Sequence, residues 1–359
     1  MKLHCIPILS ALFTSLVCFS NPATKISDNS PSSGIVIRWN DCEQTIDGFG
    51  IAQAGWAKEL FAFKNRKQVM DKMFGNDGLR LNILRGEIFP HYWENKEDKD
   101  FNLNDDINIE LCDSDFNNKS DDLLRRGQLW LTLEAKNKYH INKLVFSTWS
   151  APAWMKSNGK VSNGKLKPEC YQDFANYLAA FYKAYKSKGI TPYAISPSNE
   201  PGYAAPWNSS LWTADEMGKF ITSNLGPTFQ KENIPAKIIF GENPLWSVVM
   251  PQLKMVSSKD FTDTILQDYP EIKKFNLIAA GHGYSLSPDI MPIKVDKEYL
   301  KTPIIPFDAA EKAHIPVWIT EISDVTPLDT SIQDGLKWAV TFHNYLTKAN
   351  VNAIIWWGG

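Results

Sequence analysis

Short apolar runs alternate with amphipathic stretches along most of this chain. The runs are Thr45–Phe49, Leu79–Arg85, Leu144–Thr148, Tyr193–Pro197, Lys237–Phe240, Leu277–Ala280, Val317–Thr320 and Ala353–Trp357. Short runs of this kind are expected of strands buried on both faces of a parallel sheet. The stretches between them carry helical spacing. Tyr171–Lys188 places Phe174, Tyr177, Leu178, Phe181 and Tyr185 on one stripe and is stopped by Gly189. Thr213 to Glu216 reads as a capping box opening a helix to about Leu225. Asp334–Lys348 carries Leu336, Trp338, Ala339, Phe342 and Leu346. Eight strands alternating with helices predict an α/β fold, a (β/α)8 TIM barrel over residues 45–359, with a doubly wound sheet as the structural rival.

The two ends read differently. Residues 1–20 have a positive start at Lys2, an apolar run Ile6–Phe19 and small residues before Asn21, the form of a signal peptide. Export makes the expected location secreted or periplasmic; lipoprotein anchoring at Cys18 is disfavoured by the bulky Val17 before it. Residues 21–34 read as a polar linker. Gly34–Trp39 reads as a short strand, the start of an incomplete β side domain at residues 35–44. The eighth run ends in Gly358-Gly359 with no helical pattern after it, so the barrel is expected to be truncated after strand 8 and the chain to be a fragment.

Composition narrows the function. With 38 Lys and Arg against 40 Asp and Glu the net charge is −2, which gives no reason to expect a nucleic-acid or anionic-membrane partner. No segment has the roughly 18 apolar residues of a membrane span. Cys42, Cys112 and Cys170 remain after the leader; three cysteines cannot all pair, and the six His show no ligand spacing. No metal and no cofactor are expected.

Four glutamates fall at predicted strand ends: Glu87, Glu200, Glu242 and Glu321. In a barrel the chemistry sits at those ends. Paired carboxyl groups suit glycoside hydrolysis, one protonating the leaving oxygen, the other attacking the anomeric carbon or activating water. Periodicity alone does not choose the pair. The chain also holds 13 Trp. Trp149, Trp154, Trp207, Trp212, Trp246, Trp356 and Trp357 lie near the same ends, where aromatic faces pack on sugar rings.

Four segments carry a family resemblance: Ser147–Gly159 (STWSAPAWMKSNG), Tyr193–Pro201 (YAISPSNEP), Gly281–Tyr284 (GHGY) and Trp318–Glu321 (WITE). In this order they resemble glycoside hydrolase family 30, which includes glucosylceramidases, xylanases and endo-β-1,6-galactanases or glucanases on the clan A barrel. The resemblance runs from about residue 35 to 359. It implies Glu200 as acid/base and Glu321 as nucleophile of a retaining, double-displacement mechanism. It implies Asn199 at the 2-hydroxyl, Arg85 beside the nucleophile, Trp149 as a wall of the sugar site, Tyr284 and His282 on strand 6, and Trp356 or Trp357 as its floor. Glu242 matches an acidic rim position in reserve. Family members add a C-terminal β-sandwich, which is expected to be lacking here.

The expected function is hydrolysis of β-glycosidic bonds in a polysaccharide of the xylan or β-1,6-galactan type, the carbohydrate being the partner. An exo-acting glucosylceramidase or β-glucosidase-like enzyme, and a non-catalytic carbohydrate-binding protein, are the alternatives. For the enzyme, Glu200 is expected to titrate high and Glu321 low.

Overall fold

The computed structural model describes residues 37–53, 56–93, 96–97, 122–247, 256–284, 303–324 and 329–358. The leader expected at residues 1–20 and the linker at 21–34 lie outside them. The chain divides into two units, Met1–Glu43 and Gln44–Gly359. In the first, residues 37–43 contain a turn and an exposed Arg38–Asp41 ion pair at 3.3 Å. The strand expected to end at Trp39 is not formed over its described residues, 37–39.

The second unit is a closed parallel barrel of eight strands in sequence order. They are β1 (Gly48–Ala52), β2 (Ile83–Ile88), β3 (Lys143–Thr148), β4 (Ala194–Ser196), β5 (Lys237–Phe240), β6 (Leu277–His282), β7 (Val317–Ile322) and β8 (Ala353–Trp356). Around them among the described residues are α1 (Ala57–Ala62), α2 (Arg66–Phe74), α3 (Asp122–Tyr139), α4 (Tyr171–Ser187), α5 (Ala214–Phe220), α6 (Gly226–Lys231), α7 (Ser258–Asp268), α8 (Asp308–Lys312) and α9 (Ile332–Lys348).

All eight expected strands form, with shifted ends. β1 begins three residues later than the apolar run, since Gln44 and Asp47 are used as side-chain anchors. Gln44 Nε2 donates to the Val351 carbonyl at 3.0 Å, and Asp47 Oδ2 accepts from Trp318 Nε1 at 2.8 Å. Gly50 permits the β1–β2 approach: a Cβ there would lie 2.6 Å from the Ile83 carbonyl oxygen. Thr213 and Glu216 form the expected capping box. The helix it opens runs into a π-helical turn, Ile221–Leu225, before α6. Pro227 has no N–H to continue the ladder, and Thr222 Oγ1 donates back to the Gly218 carbonyl at 2.8 Å.

Alternation sorts the strand side chains. Outward residues such as Phe146 pack on Phe181 and Tyr185 of α4. Inward residues Ile83, Val145, Ala194, Ile239, Ile278, Trp318, Ala353 and Ile355 build an apolar plug. Above it the inward positions turn polar, at Arg85, Ser147 and Ser196. One break in the alternation matters. Ile319 pairs with Ile354 but Ile322 with Trp356, so β7 carries one extra residue between them. That bulge turns Glu321 inward, opposite His282 of β6.

Trp318 is the largest side chain in the plug, fully buried and stacked on Tyr193 with centroids 6.0 Å apart. Trp318→Ala is expected to cost about 3–5 kcal/mol, read by chemical denaturation.

Candidate active site

Arg85 sits at the centre of the polar layer, fully buried. Its Nη1 donates to Glu321 Oε2 at 2.9 Å. Its Nη2 donates to Asn199 Oδ1 at 2.7 Å and to Glu242 Oε1 at 3.2 Å. The Trp149 ring lies over the guanidinium, 4.9 Å from Cζ to centroid. Burial opposes the charge, but Glu242 and Glu321 outweigh it and raise the Arg85 pKa.

The two expected carboxyl groups meet across this cation. Glu321, in β7, accepts from Tyr284 Oη at 2.6 Å as well as from Arg85. Glu200 follows β4, and its Oε1 lies 3.1 Å from His282 Nδ1. His282 is fully buried, and burial lowers its pKa, so the imidazole is neutral. Its Nε2 lies 3.8 Å from Glu321 Oε2. The imidazole thus stands between the two carboxyl groups. Burial raises Glu200 to about 7; Arg85 opposes that rise and the Glu242 charge adds to it. Burial also pushes Glu321 above the ordinary carboxylate range, against the pull of the Arg85 cation and the Tyr284 hydroxyl. The expected order, Glu200 high and Glu321 low, therefore fails for Glu321, because desolvation outweighs its donors.

The backbone is strained at two of these acids. Glu200 has φ 49° and Glu242 φ 26°, a region side-chain-bearing residues rarely occupy. The two turns hold each other: the Glu200 N–H donates to the Glu242 carbonyl at 3.0 Å, and Gly202 N–H to Asn243 Oδ1 at 2.7 Å.

The remaining candidates divide. Trp149 and Trp357 lie together, centroids 5.8 Å apart. Trp356 is not part of this layer. It faces the helices, 4.7 Å from Trp338 and 6.3 Å from Phe342 of α9, because alternation along β8 turns it outward. Trp212 packs with Tyr171 and Phe220, Trp246 with Phe307 and Tyr345, and the half-buried Trp154 with Trp93. Trp207 is 53% exposed beside Tyr203. Glu87 is half-buried at the end of β2, where the Gln128 side chain brackets its backbone.

Glu242 is not at the rim. It is fully buried, and Ser147 Oγ (2.9 Å) and Ser196 Oγ donate to its Oε2. Those serines escaped the sequence reading; their one signal is inward parity with Arg85. Glu200, His282 and Glu321 each bring a donor atom within 4.8 Å of the others, near enough to chelate an ion. Arg85 already supplies positive charge 2.9 Å from Glu321.

The profile of O-glycosyl hydrolase family 30 matches residues 32–359. A putative glucosylceramidase 3 of Caenorhabditis elegans is 30% identical over 251 residues, covering 67% of this chain and 45% of that protein. A glucuronoxylanase XynC of Bacillus subtilis is 26% identical over 232 residues, covering 62% and 47%. The catalytic domain of a GH30 xylanase C from Talaromyces cellulolyticus shares the fold, with a TM-score of 0.68 at 22% identity over 88% of this chain and 68% of that one. The chain spans about half the length of the curated relatives it matches.

A raised carboxyl pKa costs the folded state wherever the unfolded chain would ionise. Below the unfolded value of 4.5 both states hold the Glu200 proton; as pH rises towards 7 only the native state does, so native stability falls. Glu200→Gln is expected to match the native protein near pH 4 and to exceed it by about 3 kcal/mol at pH 8, measured by denaturant titration.

Proposed function

The chain belongs to O-glycosyl hydrolase family 30, and from that premise we propose that it is a retaining glycosidase cleaving β-glycosidic bonds of a polysaccharide. One observation carries the mechanism. Oxygens of Glu200 and Glu321 lie within 4.8 Å of each other. That supports the roughly 5 Å separation of carboxyl groups used for direct attack. The Glu321 carboxylate, aimed by Arg85 and Tyr284, attacks the anomeric carbon. The glycosidic C–O bond breaks as Glu200 gives its proton to the leaving oxygen. Glu200, now a carboxylate, takes a proton from water; the water oxygen attacks the same carbon and Glu321 leaves as a carboxylate. Asn199 takes the 2-hydroxyl in this reading, which its hydrogen bond from Arg85 supports.

Trp207 and Tyr203 favour a polymer as substrate. They follow Glu200 in the chain, and an exposed indole gives a second sugar a face to stack on. The glucuronoxylanase relative agrees with a xylan-type polymer. The glucosylceramidase relative favours an exo-acting enzyme on a glycolipid instead. The leader-like residues 1–20 support export, and among the described residues no helix is long and apolar enough to cross a membrane.

Reducing-sugar release from glucuronoxylan, β-1,6-galactan, β-1,6-glucan and an aryl β-glucoside tests the reading. Release from one polymer is expected, with at least a 10³-fold loss in Glu321→Gln. Tight polymer binding without release, unchanged in that variant, would establish the binding-protein alternative. The rate is also expected to fall tenfold per pH unit above about 7, where Glu200 loses its proton.

A further inference from the structure

Three carboxylates surround Arg85, and the two-step mechanism uses only two of them. Glu242, the third, is built into the barrel with polar partners of its own. Arg85 Nη2 donates to its Oε1 at 3.2 Å, and the Ser147 and Ser196 hydroxyls donate to its Oε2. Three donors, one of them a cation, favour the charged form. Although burial works against it, the Arg85 charge leads the effects that hold Glu242 below the ordinary carboxylate range. A strained turn delivers it there. Gly241, at φ 110°, brings the chain so close to β6 that a Cβ would lie 2.2 Å from the Ala280 carbonyl oxygen.

A charge buried at this cost acts on its neighbours. The groups around it are Arg85 of β2, Ser147 of β3, Ser196, Asn199 and Glu200 on and after β4, His282 and Tyr284 on and after β6, and Glu321 of β7. His282 is neutral and the tyrosine hydroxyl is held protonated, so the active charges are Arg85, Glu242, Glu321 and, when ionised, Glu200. Without Glu242, one guanidinium would act on Glu321 unopposed and would pull the Glu200 proton off early.

We propose that Glu242 is a positioning residue of the reaction, a fixed counter-charge that aims the Arg85 guanidinium and draws part of its field away from Glu321 and Glu200. The inference rests on the glycosidase reading for its meaning but not for its measurement. With Glu242 in place, Glu200 keeps its proton to about 7, and Glu321 is held by Arg85 without being neutralised by it. A carboxylate less tightly held is both the better nucleophile and the better partner for the oxocarbenium-like charge that develops on the sugar.

Glu242→Gln removes the charge and keeps the shape. Losing a negative neighbour favours ionisation of both Glu200 and Glu321. Both limbs of the pH profile of kcat/KM are therefore expected to move to lower pH together, by about one unit. A fall in rate at every pH with both limbs in place would show a merely structural role and overturn the proposal. Carboxyl titrations of ¹³C-labelled protein, assigned with Glu200→Gln and Glu321→Gln, read the same shifts without turnover. An inactive wild-type protein would thus sink the glycosidase reading and leave this one testable. If Glu242→Gln does not fold, Glu242→Asp keeps the charge but draws it back from Nη2. Shifts of the same sign and smaller size are expected there, and unmoved titrations would overturn the proposal.

Discussion

A guanidinium taken wholly out of water organises this molecule. Desolvating Arg85 costs several kcal/mol, and nothing in an apolar barrel returns it. It is returned by side chains from different strands and their following turns: Asn199, Glu242, Glu321 and the face of Trp149. Their convergence demands that β2, β3, β4, β5 and β7 end at matching heights around one point. Room for it comes from serines, since the inward positions at 147 and 196 carry side chains small enough to leave space and polar enough to hydrogen-bond. Below that layer the barrel closes on branched aliphatics and Trp318. The apolar plug and the polar layer are successive storeys of the same alternation.

Much of this is legible in the sequence. Eight apolar runs became eight strands in order, and the stripe Phe174, Tyr177, Leu178, Phe181, Tyr185 became the buried face of α4. Glu200, Glu321, Arg85, Asn199, His282 and Tyr284 came together from segments far apart in the chain. What escaped depended on facing and depth. Trp356 and Trp357 are adjacent in sequence, and only the barrel's parity tells which one meets Trp149. Glu242 reads as a strand-end acid like the others, and its complete burial comes from a turn geometry that letters do not encode. Glu321 was expected to titrate low from its partners, but its depth raises it.

The protein holds this arrangement against its own stability. Glu200 and Glu242 occupy left-handed backbone conformations, and Glu200 is buried as an acid that water would ionise. Each would relax if the surrounding barrel let it. The cross-bond between the two turns and the packing of β5 against β6 prevent that. Buried, strained carboxyl groups at one end of a well-packed barrel are the usual bargain between stability and activity.

The extra residue in β7 has a consequence for anyone who would transplant this site. In an idealised barrel, strands keep strict alternation. A glutamate written three positions after an inward tryptophan would then face the helices. The same letters, copied faithfully into such a scaffold, would present a carboxylate to the hydrophobic layer and leave the guanidinium without its main partner. The grouped side chains here are therefore not portable as a list of identities. They belong to a strand whose frame is displaced by one, and a graft has to carry the displacement along with the residues.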